Sequence, residues 1–131
     1  MLVVDTSAVL AALIGRPLVQ GLEKRLDQDP DLHAPHLIDI EFLHALRRLV
    51  GTGSLSVDRA ADARVDYANL SVVRYPHVQL ADRIWQLRQN LTAYDAAFVG
   101  LSEALGSPLI TCDAKLAATP GHAASIELYG H

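Results

Sequence analysis

The chain is short of the residues that usually advertise a chemistry. Its one cysteine, Cys112, excludes an internal disulfide and any multi-cysteine zinc site, and reads as a small buried residue on a strand. His33, His36, His44, His77, His122 and His131 are scattered, with no zinc-ligand spacing among them, and read as structural or solvated groups. Positive charge is scarce as well: 11 Lys and Arg stand against 15 Asp and Glu, a formal net charge of -4. That balance excludes a protein that coats nucleic acid by general phosphate neutralisation, so any such contact must be local. No apolar run approaches the ~18 residues of a membrane span. The N-terminus has no basic start and its apolar run breaks at Asp5, unlike a secretion signal. A cytoplasmic protein is expected, with no membrane partner.

What is present is the material of a packed core. Half of the 131 residues are hydrophobic, and this length suits a single domain over 1–131. Leu2 to Val4 reads as a buried strand, and Ala8 to Ile14 as a helix ended by Gly15. Pro17 is placed to start a helix from Leu18 to about Asp27. A short strand over Leu32-His33-Ala34 precedes a long apolar helix over 37–50, closed by Gly51-Thr52-Gly53. Further helices are expected over about 58–70, 79–89, 94–105 and 114–118, and strands over 72–75, 108–112 and, at an edge, 125–128. Strands alternating with helices predict an α/β fold with a mainly parallel sheet of about four or five strands.

Four carboxylates stand out against this background. Asp5 ends the first strand and Asp113 follows the strand Leu109-Ile110-Thr111-Cys112, each just before a helix. Either acid alone reads equally as a helix cap or as a ligand. Asp95 lies three residues after Thr92, a good capping box, but falls off the apolar arc of its helix. Glu41 sits in Leu37-Ile38-Asp39-Ile40-Glu41-Phe42-Leu43-His44, where a carboxylate is costly to bury unless paired or metal-bound. The alternative for Glu41 is a surface pair with His44 or Arg48. Together the four say more. In an open parallel sheet, ligands bind beside the carboxyl ends of the strands. Clustered acids repel one another, so a cation is needed to balance them. Oxygen donors without a Cys or His set point to Mg²⁺, with Mn²⁺ as a substitute.

The order Val-Val-Asp-Thr-Ser-Ala, Glu41 on its apolar helix, Thr-Ala-Tyr-Asp-Ala-Ala-Phe-Val and Leu-Ile-Thr-Cys-Asp-Ala-Lys-Leu resembles the PIN-domain ribonucleases. Within them it is similar to the toxin half of VapBC toxin–antitoxin pairs, over Leu2 to about Leu116. The resemblance implies a three-layer α/β/α fold and a Mg²⁺-dependent endoribonuclease that cuts structured RNA, transfer or ribosomal, and so arrests translation and growth. It implies Asp5 and Asp95 as the most direct metal ligands, with Glu41 and Asp113 completing the cluster. Ser7 and Thr111 match small hydroxyl residues that position water or substrate. It also implies a homodimer and a DNA-binding VapB-type antitoxin packed on the early helices around Leu10, Leu13, Leu18 and Leu22. Lys115 and Leu116 stand where the family often carries a further acid, which limits the set to four.

Other residues are weighed more lightly. Asp39 reads as compensation of a helix dipole. Arg47-Arg48, Arg16 and Lys24-Arg25 are the tight basic features, able to grip phosphates at a crevice rim or to form ordinary surface pairs. Trp85 falls on an apolar stripe and reads as core or dimer contact. Two other phosphate chemistries fit less well: a haloacid-dehalogenase-like phosphatase needs a second Asp where Ser7 stands, and a receiver domain needs more than one acid at the first strand. A PIN-like scaffold that binds RNA or a partner without cutting is the non-enzymatic alternative.

Overall fold

The structure, a computed structural model, describes residues 1–15 and 18–130; Arg16, Pro17 and His131 lie outside the described residues, and with them the expected Pro17 helix start. Five strands, β1 (Leu2–Val4), β2 (Leu32–Pro35), β3 (Val72–Tyr75), β4 (Leu109–Thr111) and β5 (Ile126–Leu128), form one sheet in the order β3-β2-β1-β4-β5, every pair parallel. β1, β2 and β4 are buried throughout, as apolar runs in a parallel sheet must be when helices cover both faces. The mainly parallel three-layer α/β/α architecture is therefore the observed one.

Connection handedness decides which helix covers which face. From β1 the chain steps outward to β2 through α1 (Thr6–Ile14) and α2 (Leu22–Gln28), then to β3 through α3 (Leu37–Gly51) and α4 (Val57–Asn69). It then returns to the far side of β1 through α5 (Ala81–Gln86) and α6 (Ala93–Leu105), before α7 (Ala114–Ala118) leads to β5. Right-handed crossovers in opposite directions put α1 and α3 on one face and α6 on the other. Contacts of α1 with α3 and α4, and of α6 with β1, β2 and β4, agree. Buried Ile38, Phe42 and Leu46 of α3 fill one side, and α6 is buried continuously from Ala96 to Ser102 on the other. No helix among the described residues is long and apolar enough to cross a membrane.

Four local expectations need correction. The second helix starts at Leu22 rather than Leu18; Gly21 precedes it in the left-handed region, φ 84°, and Leu18 is 75% exposed. The amphipathic stretch 79–89 divides into a 3-10 turn over Val78–Leu80 and α5, with Leu87 a buried anchor beyond its end. Trp85 is 67% exposed, so it is no core residue; Arg88 lies over its ring with 4.4 Å from guanidinium carbon to centroid. Cys112 is half-buried just past the end of β4.

Candidate active site

The strand order reverses between β1 and β4, and in such sheets a crevice opens outside the carboxyl ends of the two diverging strands. Asp5 follows β1 and Asp113 lies just past β4. Because helices run antiparallel to the strands they connect, α3 leaves from this edge and α6 begins on it, which brings Glu41 and Asp95 to the same opening. Asp5, Glu41, Asp95 and Asp113 all line one cleft of about 580 Å³, with Thr6, Ser7, His44, Arg48 and Tyr94 around them. The four sequence-predicted acids are thus gathered in one place.

Each acid is held by local chemistry. Asp5, 5% exposed, caps α1 by accepting from the Ala8 amide at 2.9 Å. Its Oδ1 also accepts from the Ser7 hydroxyl at 2.7 Å, and its Oδ2 from the fully buried Thr111 hydroxyl. Ser7 Oγ in turn accepts from the Cys112 amide at 2.9 Å, and Thr111 Oγ1 from the Asp113 amide at 3.0 Å. These bonds stitch β1 to β4 at the carboxyl ends of the two paired strands. Asp113 Oδ1 caps α7 through the Lys115 and Leu116 amides. Thr92 caps α6 by accepting from the Asp95 amide at 3.2 Å, and its side chain also interacts with the Asp95 carboxylate at the helix entrance. The cap and ligand readings of Asp5 and Asp113 are therefore compatible in one residue.

Glu41 does not pair with His44 or Arg48. Its Oε1 accepts from the Thr6 hydroxyl at 2.7 Å. Thr6 is the residue that sequence reasoning passed over; its only signal was a hydroxyl beside Asp5, and its partner lies 35 positions away. Ser7 and Thr111 are where sequence placed them, and both touch Asp5.

Burial and mutual repulsion push Asp5, Glu41 and Asp95 up. Asp5 is raised chiefly by desolvation and slightly by Asp113, against the pull of its three hydrogen bonds. Glu41 is raised by desolvation, with Asp95 and Asp5 adding to it against its Thr6 bond and the opposing field of His44. Asp95 is raised by desolvation and by Asp113. No ion pair compensates any of the four among the described residues. The donor set is all oxygen, the chemistry of a hard divalent cation. Among the described residues no three acidic, His or Cys side chains already form a metal cage.

Comparison with known proteins agrees with the geometry. The PIN domain family matches residues 2–121. Ribonuclease VapC9 of Mycobacterium tuberculosis is 44% identical over 119 residues, 91% of each chain. Ribonuclease VapC1 of the same species is 42% identical over 127 residues, 96% of each. Among solved structures, PAE2754 from Pyrobaculum aerophilum superposes with a TM-score of 0.68 at 27% identity, over 95% of this chain and 81% of that one.

Proposed function

The chain belongs to the PIN-domain family, and on that premise we propose that it is a Mg²⁺-dependent endoribonuclease, the toxin of a toxin–antitoxin pair. Its single domain over 1–131 would act in the cytoplasm as a homodimer, be silenced by a VapB-type antitoxin, and cut structured RNA, transfer or ribosomal, to stop translation. The observation that carries this reading is the four-acid cleft at the switch point, where none of the four carboxylates has an ion-pair partner among the described residues. Relatives at 42–44% identity are named as VapC ribonucleases.

Asp5 and Asp95 are the first candidates to hold the ion, with Glu41 and Asp113 completing its surroundings. A divalent cation bound there supplies Lewis acidity toward the phosphate and a water acidic enough to attack it. The protein's part is orientation. Ser7 and Thr111 fix the plane of the Asp5 carboxylate; since Thr111 is fully buried, we assign its hydroxyl to Asp5 rather than to substrate. Thr6 holds one Glu41 oxygen, and Glu41 itself lines the cleft. The N-termini of α1 and α6 both open on the cleft, and their free amide dipoles favour an incoming phosphate.

Incubation of the purified protein with total RNA and Mg²⁺, followed by mapping of new ends, tests the reading. Discrete cleavage that stops on chelation, and is absent from Asp5→Asn and Asp95→Asn proteins with unchanged circular dichroism, is expected. Retained cleavage in both variants sinks the assignment.

A further inference from the structure

The arginines of the described chain fall into two groups. Five are engaged: Arg25 with Glu127 at 2.9 Å, Arg74 with Asp39 at 2.9 Å, Arg83 with Glu103 at 2.7 Å, Arg59 with the Ile14 carbonyl at 3.0 Å, and Arg88 with the Trp85 carbonyl at 2.9 Å. Arg47, Arg48 and Arg64 are exposed and, among the described residues, have no side-chain hydrogen bond or ion pair. All three line one groove of about 860 Å³ between α3 and α4. No carboxylate lines it; Asp58, Asp62 and Asp66 fall off the Val57-Ala60-Ala61-Arg64 stripe that α4 presents there. The two lysines, Lys24 and Lys115, belong to α2 and α7. In a chain of net charge -4, the uncommitted guanidinium groups of the described residues are thus concentrated on one surface.

That surface is continuous with the acid cleft. Arg48 lines both hollows, and it lies two turns beyond Glu41 on the same face of α3, about 10 Å along the axis. Four like-charged carboxylates cannot attract a polyanion by themselves, so the attraction must come from beside them. The floor of the groove, with Leu43 and Val57 partly open to solvent, offers apolar surface to unstacked bases.

We propose that the α3–α4 groove is the track of the RNA strand flanking the cut. Arg48 holds the phosphate at the junction with the cleft, and Arg47 and Arg64 hold phosphates farther along. This rests on the ribonuclease reading and names where its substrate lies. The occupant is a nucleic-acid strand, because the groove offers cations without acids and joins the place where a phosphodiester would be cut. An acidic protein segment is the competing occupant.

The test uses the full chain. Binding of a fluorescein-labelled, mixed-sequence oligoribonucleotide by Asp5→Asn protein is titrated against salt, alone and with Arg47→Ala, Arg48→Ala or Arg64→Ala added. Each added substitution is expected to reduce the slope of log affinity against log salt by about 0.7, one phosphate contact on a single strand. Arg88→Ala, on the opposite side of the sheet, is expected to leave it unchanged. In the active protein, Arg48→Ala is expected to raise KM about tenfold or more with kcat nearly constant, and Arg48→Lys to recover part of that loss. Equal slopes and equal KM in all the variants overturn the proposal. So does unchanged RNA binding coupled to loss of a protein partner, which would make the groove a protein-docking surface. Wild-type protein that binds the oligoribonucleotide with the predicted slopes but cuts no RNA leaves the track standing and refutes the ribonuclease reading instead.

Discussion

Asp39 and Glu41 stand two residues apart on α3, about 200° around the helix, and they live in opposite worlds. Asp39 faces β3 and α4, where the Arg74 guanidinium and the Tyr67 hydroxyl both donate to it. Those donors outweigh its partial burial and hold its carboxyl below the usual range. In return the carboxylate pushes the Tyr67 hydroxyl up, behind burial as the larger cause. Glu41 faces the cleft, has one hydroxyl for a partner and two other carboxylates for neighbours, and is pushed up. The same division runs through the molecule. Asp29 with the Met1 amine, Glu103 with Arg83 and Glu127 with Arg25 are all lowered. Asp5, Glu41 and Asp95 are all raised. Acids that hold the fold together have a cation supplied by the chain; those raised in the cleft have no ion-pair partner among the described residues.

The sharpest way to break this contrast is to neutralise a cleft acid. Asp95→Asn or Asp5→Asn is expected to cut ribonuclease turnover by more than about 100-fold, beyond the 10–100-fold cost of losing a residue that merely orients a ligand. Initial rates on the mapped RNA measure it. Thr6→Ala tests the orienting role on the cleft side: a 10–100-fold loss is expected with little change in melting temperature. Rates equal to wild type would mean that Glu41 needs no anchor.

On the other side of α3 the expected loss is in stability. Asp39→Ala strands the Arg74 and Tyr67 donors and is expected to cost about 1.5–3 kcal/mol in urea unfolding, while rates measured well below the midpoint stay close to wild type. An activity loss as large as that of Thr6→Ala, with stability unchanged, would erase the distinction.

The smallest expected effect is the most diagnostic. A carboxyl raised in the folded state binds its proton more tightly there than in the unfolded chain. Its contribution to stability is full below the unfolded values, near 3.8 for Asp and 4.5 for Glu, and is lost as pH rises through the raised folded values. The lowered acids Asp29, Asp39, Glu103 and Glu127 run the other way, stabilising above their unfolded values and failing as pH falls. Metal-free Asp5→Asn protein is therefore expected to gain stability relative to wild type as pH rises from 4 to 7, read as the difference between their urea midpoints. Mg²⁺ is expected to raise the melting temperature of wild type and not of this variant. Equal stability of the two proteins across that range would show that Asp5 carries no uncompensated charge.

Much of this was legible in the sequence because the signals were local. Leu2–Val4 before Asp5 and Leu109–Thr111 before Asp113 declare buried strands that end in acids, and parallel order follows from the helices between them. What stayed hidden depends on partners far along the chain. Thr6 means nothing until α3 is folded against α1, and Asp39 looked like a response to its own helix dipole because Arg74 lies 35 residues away. Trp85 followed an apolar stripe, yet α5 is too short to bury a full face. Leu18 had helical spacing, but glycine at position 21 resets the start of α2.

The hydroxyl stitching between Ser7, Asp5 and Thr111 spans more than a hundred positions of sequence. A chain synthesised only as far as Leu91 contains Asp5, Thr6, Ser7 and Glu41, but neither Asp95, Thr111 nor Asp113. Translation proceeds at about 5–20 residues per second and folding follows it domain by domain. The cleft therefore stays unfinished until β4, the last strand to join β1, leaves the ribosome.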